Sequence, residues 1–421
     1  MDRDLILSLA QRCNRCGYCL SECPVYAATG VESSAARGRI ALARLLAQAA
    51  LPFDRSVKNV LHECLLCRAC VEACPPSVET DKIVAALRHE WHKRFGGAGL
   101  ADRVFHSFLP DRRRLERQVR ALYAALLRGA PQAAAKLGLL RLLPGLALRA
   151  LDMLPEPPRQ FLTDRLARLN LRPREAKLRV GYFVSCGMNM AQPEAAEACV
   201  RLLVKLGCEV VPLDNVCCGL PPYAYGDMDA AAELALANAR AFARTEGIRW
   251  VVSDCGSCSA HLRECHTLPT LAPRERELVR RLSERVRDVT EVLCELEWPE
   301  RLNEVSLRVT YHDPCHLSRY LDTREQARAL LRKVPGLMLA EMPRADMCCG
   351  GAGTYGLEHP EISQHILDRK IAAAVSTGAE AIVTSCPSCM LQLAYGLRRR
   401  GLGLNVLHIC QVLDRAVPEE Q

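Results

Sequence analysis

Several things are scarce in this chain, and each scarcity closes off a class of function. Aromatic residues make up 5% of its 421, too few for the stacking surfaces that grip single-stranded nucleic acid. Charge of one sign is also scarce. The net is +8, spread over many arginines, and on its own it implies no polyanionic partner. No base-rich leader opens the sequence: Met1-Asp2-Arg3-Asp4 precedes the short apolar run LILSLAQ, too short and too acidic for a secretory signal. Uninterrupted apolar runs of 18 residues are missing as well. The richest stretch, Lys136 to Pro155, is broken by Arg141, Pro144 and Arg149 and is not expected to cross a bilayer. With 49% hydrophobic and 25% charged residues, the chain reads as globular and built from two or three domains.

Cysteine is abundant. There are 23, an odd number, in a chain expected to stay in a reducing cytosol, where regular spacing signals metal or redox chemistry and not disulfide stapling. Cys13, Cys16, Cys19 and Cys23 stand three, three and four apart with Pro24 next, and Cys64, Cys67, Cys70 and Cys74 repeat the intervals before Pro75. This is the C-x2-C-x2-C-x3-C-P run of bacterial ferredoxins, found twice. Three thiolates two residues apart wrap three corners of a cubane; the fourth, past the turn, reaches the other cluster. The expected sets are therefore Cys13, Cys16, Cys19 and Cys74 for one [4Fe-4S] cluster, and Cys64, Cys67, Cys70 and Cys23 for the second. Zinc is the competing reading of a CxxC pair, but two complete octet halves match the cluster pattern.

Between the halves, ESSAARGRIALARLLAQAA predicts one helix, capped by Ser33 or Ser34, with an apolar stripe through Ile40, Leu42 and Leu45. Arg37 and Arg39 are expected to face solvent or form a structural salt bridge, the alternative being a place near the clusters where they offset negative charge. Residues 80–175 carry no cysteine and read as a helical linker with arginine on its polar faces. The run Arg112-Arg113-Arg114 with Arg117 and Arg120 suits a solvated helix face, the alternative being an acidic partner or an anionic membrane surface.

From residue 179 the sequence duplicates itself. One copy carries Cys186, Cys217, Cys218, Cys255 and Cys258; the other carries Cys315, Cys348, Cys349, Cys386 and Cys389. Each copy alternates buried strands with amphipathic helices, which predicts a parallel α/β unit with its cysteines at strand-to-helix junctions. Loops at the carboxyl ends of parallel strands converge, so five distant thiols can meet. Five soft thiolates exceed the needs of one tetrahedral zinc and suit an iron–sulfur cluster better, with zinc the alternative in one copy. Gly351-Ala352-Gly353-Thr354-Tyr355-Gly356 fits a dinucleotide fingerprint but follows a cysteine pair in place of a strand, so a turn beside a cluster is the better reading. His312 and His316 flank Cys315 and are expected to tune sulfur or cap a turn, not to ligate, and Asp313 is expected to cap the next helix. Cys199, Cys208, Cys265, Cys294 and Cys410 read as core thiols.

The duplicated Cys…CCG…CxxC pattern resembles the CCG domains of the heterodisulfide reductase family. A double ferredoxin module joined to two such domains resembles the iron–sulfur subunits of glycolate oxidase and related lactate dehydrogenases. CCGGAGTYGLEHPEI and ARGRIALARLL look most like the glycolate oxidase branch. The intact Cys255/Cys258 and Cys386/Cys389 pairs resemble the heterodisulfide reductase type, whose five-cysteine motifs hold noncubane [4Fe-4S] clusters.

The expected fold is α+β overall: a two-cluster ferredoxin-like domain over 1–90, a helical linker region over 91–175, and CCG α/β domains over 176–300 and 301–421. The resemblance implies an electron-transfer subunit of a glycolate- or D-lactate-oxidising complex. It would work with an FAD flavoprotein and a quinone or other acceptor, and hold one or two clusters beyond the ferredoxin pair, with no flavin and no nucleic acid in this chain. The implied location is the cytoplasm, with the inner face of the membrane reached through partners. The alternative is a heterodisulfide reductase-type subunit whose CCG-bound cluster reduces a disulfide.

Overall fold

Short helices, not strands, build the first hundred residues, because the two cysteine runs are themselves tight loops with a helical turn at each end. A computed structural model describes residues 3–97, 100–128, 149–150, 152–153 and 156–419. Helices α1 (Arg3–Gln11), α4 (Ala36–Ala47), α5 (Lys58–His62) and α7 (Thr80–Phe95) bury Ile6, Ile40, Leu46, Leu61, Ile83 and Leu87 in one small core. The loops of the two runs are gathered beside it by α2 (Tyr18–Glu22), α3 (Pro24–Thr29) and α6 (Ala69–Glu72). Gly17 (φ 90°) and Arg68 (φ 58°) start α2 and α6 from the left-handed region. Glycine adopts that conformation freely; the arginine must be held there by its contacts.

The segment between the runs differs from the single capped helix expected. Helix α4 begins at Ala36 with Ala35 as its N-cap and no side-chain cap, after a 3-10 turn over Glu32–Ser34. The N-cap position falls on Ala35, which has no side-chain acceptor, while the buried Ser34 hydroxyl one residue earlier donates to Glu63 across the module. Arg39 is not in solvent either. It is 1% exposed and donates to the Val60 carbonyl at 2.8 Å. Arg37 forms the expected salt bridge, with Glu32 at 2.6 Å.

The cysteine-free middle supplies α7, α8 (Leu100–Ser107), α9 (Arg112–Leu127) and a short helix over Leu162–Leu166. Asp111 caps α9 by accepting from the Arg114 amide. The basic run on α9 is divided. Arg112 donates to Leu213 O at 3.0 Å and Arg120 pairs with Asp164 at 2.9 Å, while Arg113 and Arg117 are exposed. The apolar segment from Lys136 and its Pro144 and Pro155 lie outside the described residues. Among the described residues no helix is long and apolar enough to cross a membrane.

Two four-stranded sheets follow. Strands β1 (Leu178–Tyr182), β2 (Cys208–Pro212), β3 (Trp250–Ser253) and β4 (Val286–Asp288) form the first, in the order β2-β1-β3-β4. β5 (Leu307–Tyr311), β6 (Leu337–Leu339), β7 (Ala381–Thr384) and β8 (Asn405–His408) form the second, in the matching order β6-β5-β7-β8. Every pairing is parallel, for example Val180 with Val210 and Trp250, and Val309 with Leu339 and Ala381. The architecture is α+β overall, a helical ferredoxin module followed by two duplicated α/β units.

The two units share one core. Val180, Tyr182 and Val252 of the first and Val309, Tyr311 and Val383 of the second belong to a single buried cluster. It is closed by the helix Pro193–Lys205 packing on the helix Ile409–Ala416. Cys199 and Cys410, expected as core thiols, are buried and hydrogen-bonded to each other across that joint. Cys208 and Cys265 are also buried, but Cys294 is exposed: it sits at the open end of the helix Val289–Glu295, where its thiol points to Gln326 O at 3.7 Å.

Candidate metal centres

The ferredoxin-type loops bring their thiols together as two groups. Cys13, Cys16, Cys19 and Cys74 line one small hollow, with Cys70, Arg37 and Thr80 also on its wall. Burial pushes the Cys19 thiol up, an amide hydrogen bond from Arg37 opposes this, and the nearby Cys13 and Cys74 add to the rise. Cys16 is exposed, so this group lies at the protein surface. The second group is deeper. Burial drives Cys70 well above its ordinary range, with Cys64, Cys67 and Cys23 as its charged neighbours. Each group thus draws its fourth thiol from the other run.

In each α/β unit the thiols sit where three adjacent strands end. Cys186 follows β1, Cys217 and Cys218 follow β2, and Cys255 caps the helix Gly256–Glu264 after β3. In the second unit Cys315 follows β5, Cys348 and Cys349 follow β6, and Cys386 caps the helix Pro387–Arg399 after β7. After the first pair, Gly219 at φ 100° turns the chain so tightly that a Cβ there would lie 3.1 Å from the His261 ring.

The ten thiols are neighbours along one line. In the first unit Cys186 meets Cys217, Cys217 meets Cys218, Cys218 meets Cys258, and Cys258 meets Cys255. In the second, Cys315 meets Cys348, Cys348 meets Cys349, and Cys349 reaches Cys389 at 3.6 Å, which meets Cys386. Bonds received from Cys217 and Cys258 pull the Cys218 thiol down to about 5. Those from Cys315 and Cys349 hold Cys348 well below its ordinary range. Crowded thiols of which some are already thiolate are the donor set a soft metal centre uses, since ligation deprotonates the rest.

The two units touch at their sites. Cys255 and Cys386 are neighbours, each shifting the titration of the other. Ser257 Oγ lies 3.4 Å from Cys386 Sγ and 3.1 Å from His316 Nδ1, and the Gly256 amide donates to Ser385 O at 3.0 Å. A Cβ on Gly256 would stand 2.6 Å from Leu317 Cγ, so the joint has no room for one.

The second unit also meets the ferredoxin module. Cys67 and Cys348 belong to one buried cluster with Cys23. Burial pushes Cys67 up to about 12, with Cys348 adding to the push and Arg319 opposing it. Arg319, its side chain 4% exposed, pairs with Glu72 at 2.9 Å and Asp346 at 2.7 Å, and Tyr320 donates to Leu66 O at 2.7 Å. In the first unit the position matching Arg319 is Met190, which packs with Tyr123 and Phe161 beneath α9. The duplicated scaffold thus covers equivalent sites differently, a charged contact against the ferredoxin loops and an apolar one against a helix.

Arg319 carries much of this contact and was missed in the sequence. Arg319 lies four residues beyond Cys315, one helical turn away, and that spacing was the available signal. Asp313 does not cap: it is paired with Arg328 at 2.9 Å through both oxygens, so the following turn, His316–Tyr320, starts without a side-chain cap. The GAGTYG segment is a turn leading into a short helix, Tyr355–Glu358, whose Tyr355 hydroxyl donates to Glu63 O at 2.8 Å.

The 4Fe-4S dicluster domain family matches residues 9–78, and the Cysteine-rich domain family matches 180–263 and 309–394. The probable glycolate oxidase iron-sulfur subunit of Bacillus subtilis is 33% identical over 415 residues, covering 96% of this chain and 93% of that protein. The chain belongs to the glycolate oxidase iron–sulfur subunit family. Two further relatives match shorter stretches. Lactate utilization protein A of Bacillus velezensis is 32% identical over 56% of this chain and 99% of its own length. One component of the fumarate reductase (CoM/CoB) of Methanothermobacter marburgensis is 31% identical over 58% of this chain and 47% of its own.

Proposed function

We propose that this chain is the electron-transfer subunit of a complex that oxidises a 2-hydroxy acid, glycolate or D-lactate. The observation that carries the reading is the continuity of the thiols. They run from the surface at Cys16 through Cys67 and Cys348 in the second unit, then through Cys386 and Cys255, to Cys186 under α9. Cys13, Cys16, Cys19 and Cys74 would hold one [4Fe-4S] cluster, and Cys64, Cys67, Cys70 and Cys23 another. The five thiols of each α/β unit would hold one more iron–sulfur cluster. When bound, such clusters supply one-electron carriers that divide a two-electron oxidation into single steps. The organisation is four parts, 1–90, 91–175, 176–300 and 301–421.

The chain's own residues bind, shield and tune. Leu65, Ile366 and Tyr355 wall off the junction beside Cys67 and Cys348; exclusion of water there strengthens every charge interaction. Arg319 and Lys370 place positive charge beside anionic thiolates, and Lys370 donates to Arg344 O and Ala345 O, which fixes its head. Oxidising the hydroxy acid to the oxo acid releases two electrons and two protons. That chemistry belongs to an FAD-containing flavoprotein partner, and the electrons pass through this chain to a quinone or another carrier.

The test is an anaerobic pull-down of the chain from its host, the complex being assayed with glycolate, D-lactate and L-lactate against a redox dye. A co-purifying flavoprotein and dye reduction with one of the acids are expected. With no flavoprotein and no acid oxidised the reading fails, and reduction of a disulfide at the α/β units becomes the reaction to assay.

A further inference from the structure

The two α/β units are built alike, yet one buried position beside the thiols differs in kind. Three residues before Cys186 stands Phe183, 1% exposed and packed in the cluster that holds Cys217, Cys218, Cys255 and Cys258. Three residues before Cys315 stands His312, 0% exposed. Its amide donates to Val383 O at 2.9 Å, which pins it where β5 ends beside β7. Neither ring nitrogen reaches good hydrogen-bond geometry, although the Ala345 carbonyl acts on the ring as an acceptor. A ring nitrogen of His312 and the sulfurs of Cys349 and Cys389 all lie within 4.8 Å of one another.

A buried imidazole with at most one nitrogen served, and that one poorly, is costly, and its free nitrogen calls for a ligand. The neighbouring cation cannot serve it: Lys370 is spent on Arg344 O and Ala345 O. His316, in contrast, is partnered by Ser257. We propose that His312 is a nitrogen ligand to iron in the cluster of the second unit. That centre is then mixed thiolate and imidazole, while the centre of the first unit is bound by thiolates alone, with Phe183 against it. The inference rests on the reading that the second unit holds a cluster at all. A neutral imidazole adds a nitrogen donor to that centre without adding negative charge.

The experiment uses the full chain, purified anaerobically from cells fed 15N-histidine and poised where the second-unit centre is paramagnetic. Pulsed electron paramagnetic resonance reads whether a nitrogen is bonded to it. A histidine-nitrogen coupling is expected in the unaltered chain and in His316→Gln. It is lost in both His312→Phe and His312→Gln, with iron and sulfide per chain unchanged. Phenylalanine is the residue the first unit accommodates, and glutamine keeps a polar group should phenylalanine not fold. A coupling that persists in both His312 variants, or none in the unaltered chain, overturns the ligation and leaves the cluster reading standing. If a Cys349→Ser, Cys389→Ser chain carries as much iron and sulfide as the unaltered one, the second-unit cluster itself falls, and the inference with it.

Discussion

Arg88 offers the sharpest test of how the modules are held together. It lies on α7, 4% exposed, and its guanidinium donates to Leu61 O at 3.0 and 2.7 Å, Cys64 O at 2.6 Å and Ala224 O at 2.6 Å. One side chain thus ties the loop of the second ferredoxin run to the first α/β unit. Gly226 accommodates it: a Cβ there would come within 2.4 Å of the Arg88 backbone. Arg88→Met keeps most of the volume and removes the donors, leaving the Cys64 and Ala224 carbonyls without their guanidinium partner at roughly 1–3 kcal/mol each, while Leu61 O keeps the Cys64 amide at 3.4 Å. Part of this is offset because a buried cation is also removed, so the net cost is about 3 kcal/mol. That corresponds to about a 100-fold rise in the opening of the joint. The assay is release of iron to a ferrous chelator under anaerobic conditions, resolved by the spectroscopic signal of each ferredoxin-type cluster. Release from the Cys64 group should accelerate by that factor while the Cys13 group is unaffected. Equal rates in variant and wild type, or equal acceleration of both groups, would refute the argument that Arg88 clamps this loop.

Four further outcomes are expected. Cys74→Ser should abolish the cluster of the first run and spare that of the second, and Cys23→Ser should do the reverse; loss of the cluster belonging to the mutated run would show that the fourth thiols are not exchanged. Arg319→Leu removes a cation from between Cys67 and Cys315, so the second ferredoxin-type cluster should become harder to reduce, by roughly 100 mV for a unit charge about 6 Å away at an effective dielectric near 20; a redox titration finding no fall would contradict this. Gly256→Ala should destabilise the joint between units by about 1–3 kcal/mol through overpacking, and Leu317→Ala should relieve it in a double-mutant cycle; additive effects would mean the two side chains do not meet. Burial pushes the Asp288 carboxyl up to about 7 from an ordinary 3.8, so between those values the folded chain holds a proton that the unfolded chain has lost, and stability from this group falls as pH rises towards 7. Asp288→Asn should therefore gain thermal stability relative to wild type as pH rises from 5 to 7.5, by about 2–3 kcal/mol, and parallel melting curves for the two proteins would exclude it.

Much of the fold was legible because its signals are local. The alternation in RVGYFVSC and LRVTYHDPC marks β1 and β5, and the intervals among Cys13 to Cys23 and Cys64 to Cys74 mark two cluster loops without any tertiary information. What escaped depends on contacts between distant segments. Strands β4, β6 and β8 are three or four residues long, too short for a period to register, and exist because a neighbouring strand pairs with them. Ser34 has the chemistry of a cap, but the cap position falls one residue later, and the Ser34 hydroxyl is claimed by Glu63, 29 residues away. Asp313 likewise is claimed by Arg328. The meeting of Cys255 with Cys386 joins residues 131 apart, and only the shared core of the two sheets brings it about.

The junction of Cys67 with Cys348 also bears on how the protein is made. Both thiols are buried, one from each side of the contact, and the chain that closes over the first site is synthesised almost three hundred residues after it. Anything carried behind that contact has to arrive while the two modules are still apart. Cofactor insertion then precedes the last folding step, and the carboxyl-terminal unit acts as the door that shuts behind the delivered cargo.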